Sequence, residues 1–126
     1  MNKLIIDIAS DNFFLMIITS NDIYNITKEN TKINYEKLTL IINDFLSSHK
    51  LNLKDIDRIY LNRGPGSFAG IRNSLSIVKA FHLTNNIDYY CYSIQDFKGE
   101  KDVKYENIPD LCEKFKIEKN LINLIY

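Results

Sequence analysis

Asn62-Arg63-Gly64-Pro65-Gly66-Ser67-Phe68-Ala69-Gly70-Ile71-Arg72 is the stretch on which the reading of this chain turns. It holds three of the four glycines and one of the two prolines. The apolar run Arg58-Ile59-Tyr60-Leu61 precedes it, and a segment of helical periodicity, Ser67 to Thr84, follows. The order is therefore strand, glycine-rich turn, helix. Gly64 and Gly66 permit a positive φ or a close backbone approach. Pro65 fixes its own φ and turns Gly64 away from the helical region. Ser67 has the chemistry of a helix N-cap, and Gly70 in the first turn points to something packed against the backbone. Two readings stay open. One is a connection that simply needs tight geometry. The other is a cradle of backbone N–H groups and a helix N-terminus facing an anion or another chain. The Gly-Lys-Ser/Thr of a P-loop is absent, as is a dinucleotide fingerprint.

Upstream, Lys3 to Ala9 is apolar and β-branched apart from Asp7. It reads as a central strand, apolar on both faces, with an acid near its C-terminal end. Phe13 to Thr19 and Ile23 to Lys28 read as two further strands joined by short polar turns, which makes an antiparallel meander. From Asn34 the period changes. Tyr35, Leu38, Ile41, Ile42, Phe45 and Leu46 recur at three- and four-residue intervals, which predicts an amphipathic helix ending at His49. His49 is expected as a solvated end residue. Arg58 to Asn62 is the fourth strand. The helix after the glycine turn carries Ile71, Leu75, Val78 and His82 on one stripe, with Ile77 and Phe81 beside it. So wide an apolar arc fits burial on two sides, by the rest of the chain or by a partner.

Downstream, Ile87 to Ser93 reads as a fifth strand and Ile94 to Phe97 as a short helical turn. Gly99 to Asn107 reads as a charged surface loop. Ile108-Pro109-Asp110 opens a helix with Leu111, Cys112 and Phe115 facing inward. Leu121 to Tyr126 is expected to pack as a last strand or clip. The order β-β-β-α-β-α-β predicts an α/β fold with a mixed five-stranded sheet covered by helices. That is half of an actin-like ATPase (ribonuclease H-like) arrangement, over residues 1–97, followed by a short C-terminal helix and tail in residues 98–126.

Composition sets the outer limits. Apolar residues make up 45% of the 126, and 16 basic residues balance 16 acidic ones to a formal net charge of zero. A broad electrostatic surface for nucleic acid is therefore not expected. Cys91 and Cys112 form no CxxC pair or Cys/His cluster, so they read as buried thiols and not as a zinc site. No signal peptide is visible, and no apolar stretch reaches the roughly 20 residues that span a bilayer. The expected compartment is the cytoplasm, with no membrane association.

The run Arg63 to Arg72 closely resembles the GRGPGSFTGLR signature of the TsaB (YeaZ) family. Lys79-Ala80 falls where that family has Lys-Gly, and Ile6-Asp7 matches the start of its first-strand IDTS motif. Glu36 and Leu38 fit its first helix, and Ser93-Ile94 fits its Ser-Ser or Ser-Leu pair. The similarity covers residues 1–97 and rests on Asp7, Gly64, Pro65, Gly66, Ser67, Phe68, Gly70 and Arg72. The resemblance implies a non-catalytic subunit that needs no cofactor. It would pair with a TsaD-like transferase, and work with a TsaE-like ATPase, to place threonylcarbamoyl on the adenosine beside the anticodon of tRNAs reading ANN codons. Contact with tRNA would be indirect. The implied partner interface is Tyr35, Leu38, Ile42, Phe45, Ile71, Leu75, Val78 and His82. Self-pairing is expected to compete when the partner is absent.

Departures from the family pattern carry their own expectations. Asp7-Ile8-Ala9 lacks the two hydroxyls of Asp-Thr-Ser, and the motif threonine is Ala69. The family's second domain is expected here only in reduced form, without a closing half for a nucleotide cleft. The alternative is a small ATPase or phosphotransferase using Asp7 and the glycine turn. No Ser/His/Asp or HExxH pattern supports a peptidase.

Overall fold

In a computed structural model that describes residues 1–122, five strands form one mixed sheet. The strands are β1 (Lys3–Asp7), β2 (Asn12–Ile18), β3 (Ile23–Glu29), β4 (Arg58–Asn62) and β5 (Asp88–Tyr92). Their spatial order is β3-β2-β1-β4-β5. The β1–β2 and β2–β3 pairs are antiparallel, while β1–β4 and β4–β5 are parallel. The meander and the two helical crossovers are thus as the periodicity predicts. β1 is central, which is why Leu4, Ile5 and Ile6 are all fully buried.

The pleat sends alternate residues to two cores. Leu4 and Ile6 of β1, with Phe13, Leu15 and Ile17 of β2, face a layer made by α1 (Lys32–Glu36), α2 (Leu38–Ser48) and α3 (Phe68–Asn85). Ile5, Met16, Tyr60 and Tyr92 face the other way. They pack with Phe97 and with Ile108 and Cys112 of α4 (Ile108–Lys114). Residues after Phe97 therefore cover the sheet's second face. Further on, Asn120 accepts from Tyr89 N–H and donates to its carbonyl along the outer edge of β5. The expected closing strand at Leu121 to Tyr126 falls, beyond Ile122, outside the described residues.

Two elements differ from expectation. The helix predicted from Asn34 to His49 is broken at Lys37, whose ψ of 12° tips α2 away from α1. Thr31 caps the first piece by accepting from Asn34 N–H. His49 is not a solvated terminus: its ring stacks on Tyr24 at 3.8 Å and meets Phe45 edge-on.

The larger correction concerns the apolar arc. Tyr35, Leu38, Ile42, Phe45, Ile71 and Val78, named above as partner contacts, are all buried by this chain. Leu75 packs partly buried against the same core. His82 is half-buried, with Nδ1 3.0 Å from the Ile87 carbonyl and its ring edge-on to Tyr89. The physical reason is the sheet. Its helix-side face is apolar apart from Lys28 at the β3 edge, and covering it is worth about 1.5–3 kcal/mol per large side chain. A helix layer two elements deep needs wide apolar arcs for that purpose alone.

Both cysteines are free and buried, one against each core. Burial pushes the Cys91 and Cys112 thiols from 9.0 up to about 12. The folded chain thus holds protons that an unfolded one releases. This contribution is complete below pH 9.0 and is lost as pH rises through that value toward 12. Urea unfolding should therefore show a lower midpoint at about pH 10 than at about pH 7. An equal or higher midpoint at alkaline pH contradicts the burial of these thiols.

Candidate functional site

The glycine turn joins β4 to α3 and presses against the end of β1. A Cβ on Gly66 would lie 2.0 Å from the Ala9 carbonyl oxygen, and one on Gly70 would lie 2.3 Å from that of Ile8. No side chain fits either place. The Ser67 N–H donates to the Ala9 carbonyl at 2.9 Å, which fastens the approach. Gly64 takes a φ of 107°, which favours glycine, and the Gly64–Pro65 peptide is cis.

Four donors of the turn point inward. Arg63 N–H goes to the Tyr92 carbonyl, Gly64 N–H to Asn62 Oδ1, Ser67 N–H to Ala9, and Gly70 N–H to Ser67 Oγ. Ser67 Oγ also lies 3.0 Å from Tyr35 Oη. These four donors of the turn are engaged inside the fold. Arg63 pairs with Asp96 at 2.6 Å, tying the ends of β4 and β5 together. Phe68 and Arg72 lie on the surface, the guanidinium 5.3 Å over the ring. The polar Ser74 on α3 is fully buried, and its hydroxyl donates back to Gly70 and Ile71 carbonyls.

Asp7 ends β1 and is 4% exposed. Its Oδ1 accepts from the N–H groups of Ala9 and Ser10 at 3.1 and 3.2 Å. Its Oδ2 accepts from Tyr105 Oη at 2.7 Å. Tyr105 comes from the stretch expected as a solvated loop. Its ring stacks on Phe14 at 4.0 Å, and burial together with Asp7 holds its phenol above the ordinary range.

Strand register explains the company that Asp7 keeps. Asp7 pairs with Phe14, Ile6 with Leu61, and Asn62 with Tyr92. Phe14, Asp7, Asn62 and Tyr92 therefore form one row across four strands on the α4 side of the sheet. A cavity of about 450 Å³ opens there, bounded by Asp7, Asn62, Gly64 and Ser93 on the sheet side. Val103, Tyr105 and Ile108 bound it from the C-terminal segment. Tyr92 is fully buried, and its hydroxyl has no hydrogen-bond partner among the described residues. Burial raises its phenol first, with Asp7 and Tyr105 adding to the effect.

The structure thus gathers Asp7, Gly64 and Pro65 at the cavity, uses Gly66, Ser67 and Gly70 as a packing joint, and leaves Phe68 and Arg72 outside. Sequence reading missed Asn62, Tyr92 and Tyr105 as members of the site. The first two were accessible from strand parity, since each lies two residues after or before a core position on the same face. Tyr105 had no local signal. Among the described residues, no group of three or more His, Cys, Asp and Glu is placed to hold a metal ion. Among the same residues no helix is long and apolar enough to cross a membrane.

Comparison with known proteins now adds to the geometry. A family model described as TsaD, tRNA N6-adenosine threonylcarbamoyltransferase, matches residues 28–99, from the end of β3 past β5. Two relatives are named tRNA threonylcarbamoyladenosine biosynthesis protein TsaB. The one from Buchnera aphidicola subsp. Schizaphis graminum is 28% identical over 98 residues, which is 78% of this chain and 47% of that protein. The one from Buchnera aphidicola subsp. Baizongia pistaciae is 29% identical over 75 residues, 60% of this chain and 34% of that protein. The chain belongs to the TsaB (YeaZ) family, within the group that this model describes. It spans about half the length of the first relative and a third of the second. The solved structure of YeaZ from Pseudomonas aeruginosa superposes with a TM-score of 0.67 at 18% identity, over 73% of this chain and 43% of that one. Thermus thermophilus RuvC bound to a Holliday junction superposes at 0.53 and 10% identity, over 78% of this chain and 68% of that one. Both likenesses concern the fold, which is of the actin-like, ribonuclease H-like type.

Gly70 is helical and needs no unusual φ, so its substitution sets the close approach against a helix-propensity gain of about 1 kcal/mol. Gly70→Ala should lower stability by about 1–3 kcal/mol, the usual range for forced overpacking. The urea midpoint measures it, and an unchanged midpoint would mean that Ile8 does not limit the site.

Proposed function

We propose that this chain is a non-catalytic accessory subunit in the formation of threonylcarbamoyladenosine in tRNAs reading ANN codons. In this reading it pairs with a TsaD-type transferase, with a TsaE-type ATPase in the same system, and meets tRNA only through that assembly. The observation that carries the proposal is the state of Asp7. Every oxygen of the one acid at the strand end is engaged by the chain's own N–H groups and by Tyr105. The N–H groups of Arg63, Gly64, Ser67 and Gly70 in the glycine turn are engaged as well. The family to which the chain belongs, and the names of its TsaB relatives, supply the biological process.

The docking surface in this reading is the solvent side of the helix layer, not its inner arc. Ile33 on α1, Leu40 on α2, and Phe68 and Leu83 on α3 are 63, 56, 54 and 74% exposed. Large apolar groups so exposed on three packed helices suit a protein partner. The same side serves self-pairing when the partner is missing. The cavity beside Asp7 favours a second reading, a small ATPase or phosphotransferase of the actin-like class. That reading requires Asp7 to be released from its present hydrogen bonds.

Co-purification with the TsaD-type protein of the same genome tests the choice. Leu40→Glu combined with Leu83→Glu should weaken pairing at least about tenfold while changing the thermal midpoint little, because both side chains are mostly exposed. Val78→Glu should instead unfold the chain, because it places a charge in the core. Pairing that survives the double change contradicts the proposed surface. ATP turnover by the chain alone, abolished by Asp7→Asn, would establish the alternative.

A further inference from the structure

Between the 3₁₀ turn Ile94–Asp96 and α4 the chain crosses the sheet's second face as a strap, residues 98–107. Its first half is loosely held. Lys98, Gly99, Lys101, Asp102 and Lys104 are exposed. Gly99 and Asp102 have φ values of 86° and 53°, so the backbone reverses its curl on either side of Glu100 and Lys101. Nothing lies within 4 Å of a Cβ placed on Gly99. Glu100 pairs with Lys114 at 2.5 Å, but the lysine is 64% exposed and such a pair adds little. The strap meets the sheet at Tyr105. There one ring stacks on Phe14, and one hydroxyl donates to Asp7 across 98 residues of sequence.

Tyr105 is also a wall of the 450 Å³ cavity, together with Val103 and Lys104 of the strap. Asp7 and Asn62 line it too, and Tyr92, in the same strand row, has a buried hydroxyl with no partner among the described residues. We propose that Asp7 and Tyr105 form a latch that holds the strap closed over this row. Asp7 is then a positioning residue for residues 98–107, and access to the polar row is governed by opening of the strap. The acid is available to solvent or to a bound molecule only in the open state. A buried polar row left partly unpartnered favours a latch that opens. Asp7 gains water as a partner when Tyr105 leaves, which offsets part of the lost hydrogen bond. The inference does not depend on the accessory-subunit reading, because it concerns only contacts within the chain.

Hydrogen exchange of the folded chain tests the latch. Tyr105→Phe keeps the ring over Phe14 and removes only the donor. Amides of residues 98–107 should then exchange about tenfold faster or more, as expected for loss of a hydrogen bond to a carboxyl group. Amides of α2 and α3 should keep their rates, and trypsin should cut sooner after Lys101 and Lys104. Asp7→Asn, which keeps the shape and weakens the acceptor, should shift the same amides in the same direction. Rates in the strap equal to wild type would overturn the proposal. So would a uniform acceleration that includes α3, which would mark Tyr105 as a general stabilising contact and not a latch.

Discussion

The contact that organises this molecule is the approach of the glycine turn to the end of β1. The Ala9 and Ile8 carbonyls occupy the space where Cβ atoms of residues 66 and 70 would stand. With those glycines in place, α3 starts close over the central strand and lays Val78 and Phe81 on the helix-side core. Ser67 then serves three purposes at once: its N–H fastens Ala9, its hydroxyl caps α3, and it meets Tyr35 of α1. Replace either glycine and the helix must back away from the sheet, so the rest of the helical layer follows from this one close contact.

The same contact has a chemical consequence. A strand–turn–helix with glycines has the parts of a phosphate cradle, but the parts only work if the N–H groups point outward. Here the N–H groups of Arg63, Gly64, Ser67 and Gly70 point at Tyr92, Asn62, Ala9 and Ser67. Asp7, the acid at the strand end, is tied by two N–H groups and a tyrosine. Four donors of the turn and the acid at the strand end thus hold the chain together. That is the physical basis for reading the protein as a subunit that presents a surface. The exposed Leu40, Phe68 and Leu83 make up the surface proposed for that role.

Much of this was legible in the residues. Apolar, β-branched runs bounded by polar turns marked the strands, the all-apolar Leu4-Ile5-Ile6 marked the centre of the sheet, and Ser67 announced the start of α3. The inner arc of α2 and α3 was also visible, but periodicity reports only that a face is apolar, not what covers it. Val78 and Ile42 looked the same whether the sheet or a partner lay opposite, and the sheet does. Tyr105 was hidden for a different reason. It stands in a charged stretch, and its partner Asp7 is 98 residues away, so no local pattern could join them. The break at Lys37 was equally silent, because the apolar spacing continues through it.

The most direct measurement is a titration of magnesium and ATP into isotope-labelled protein, following the amide signals of Ala9, Ser10, Ser67 and Gly70. With these N–H groups engaged inside the fold, the signals should stay in place up to millimolar nucleotide. Saturable shifts at Ser10 and Ser67 that disappear in Asp7→Asn would contradict the account, because they would mean that the turn and the acid still hold phosphate.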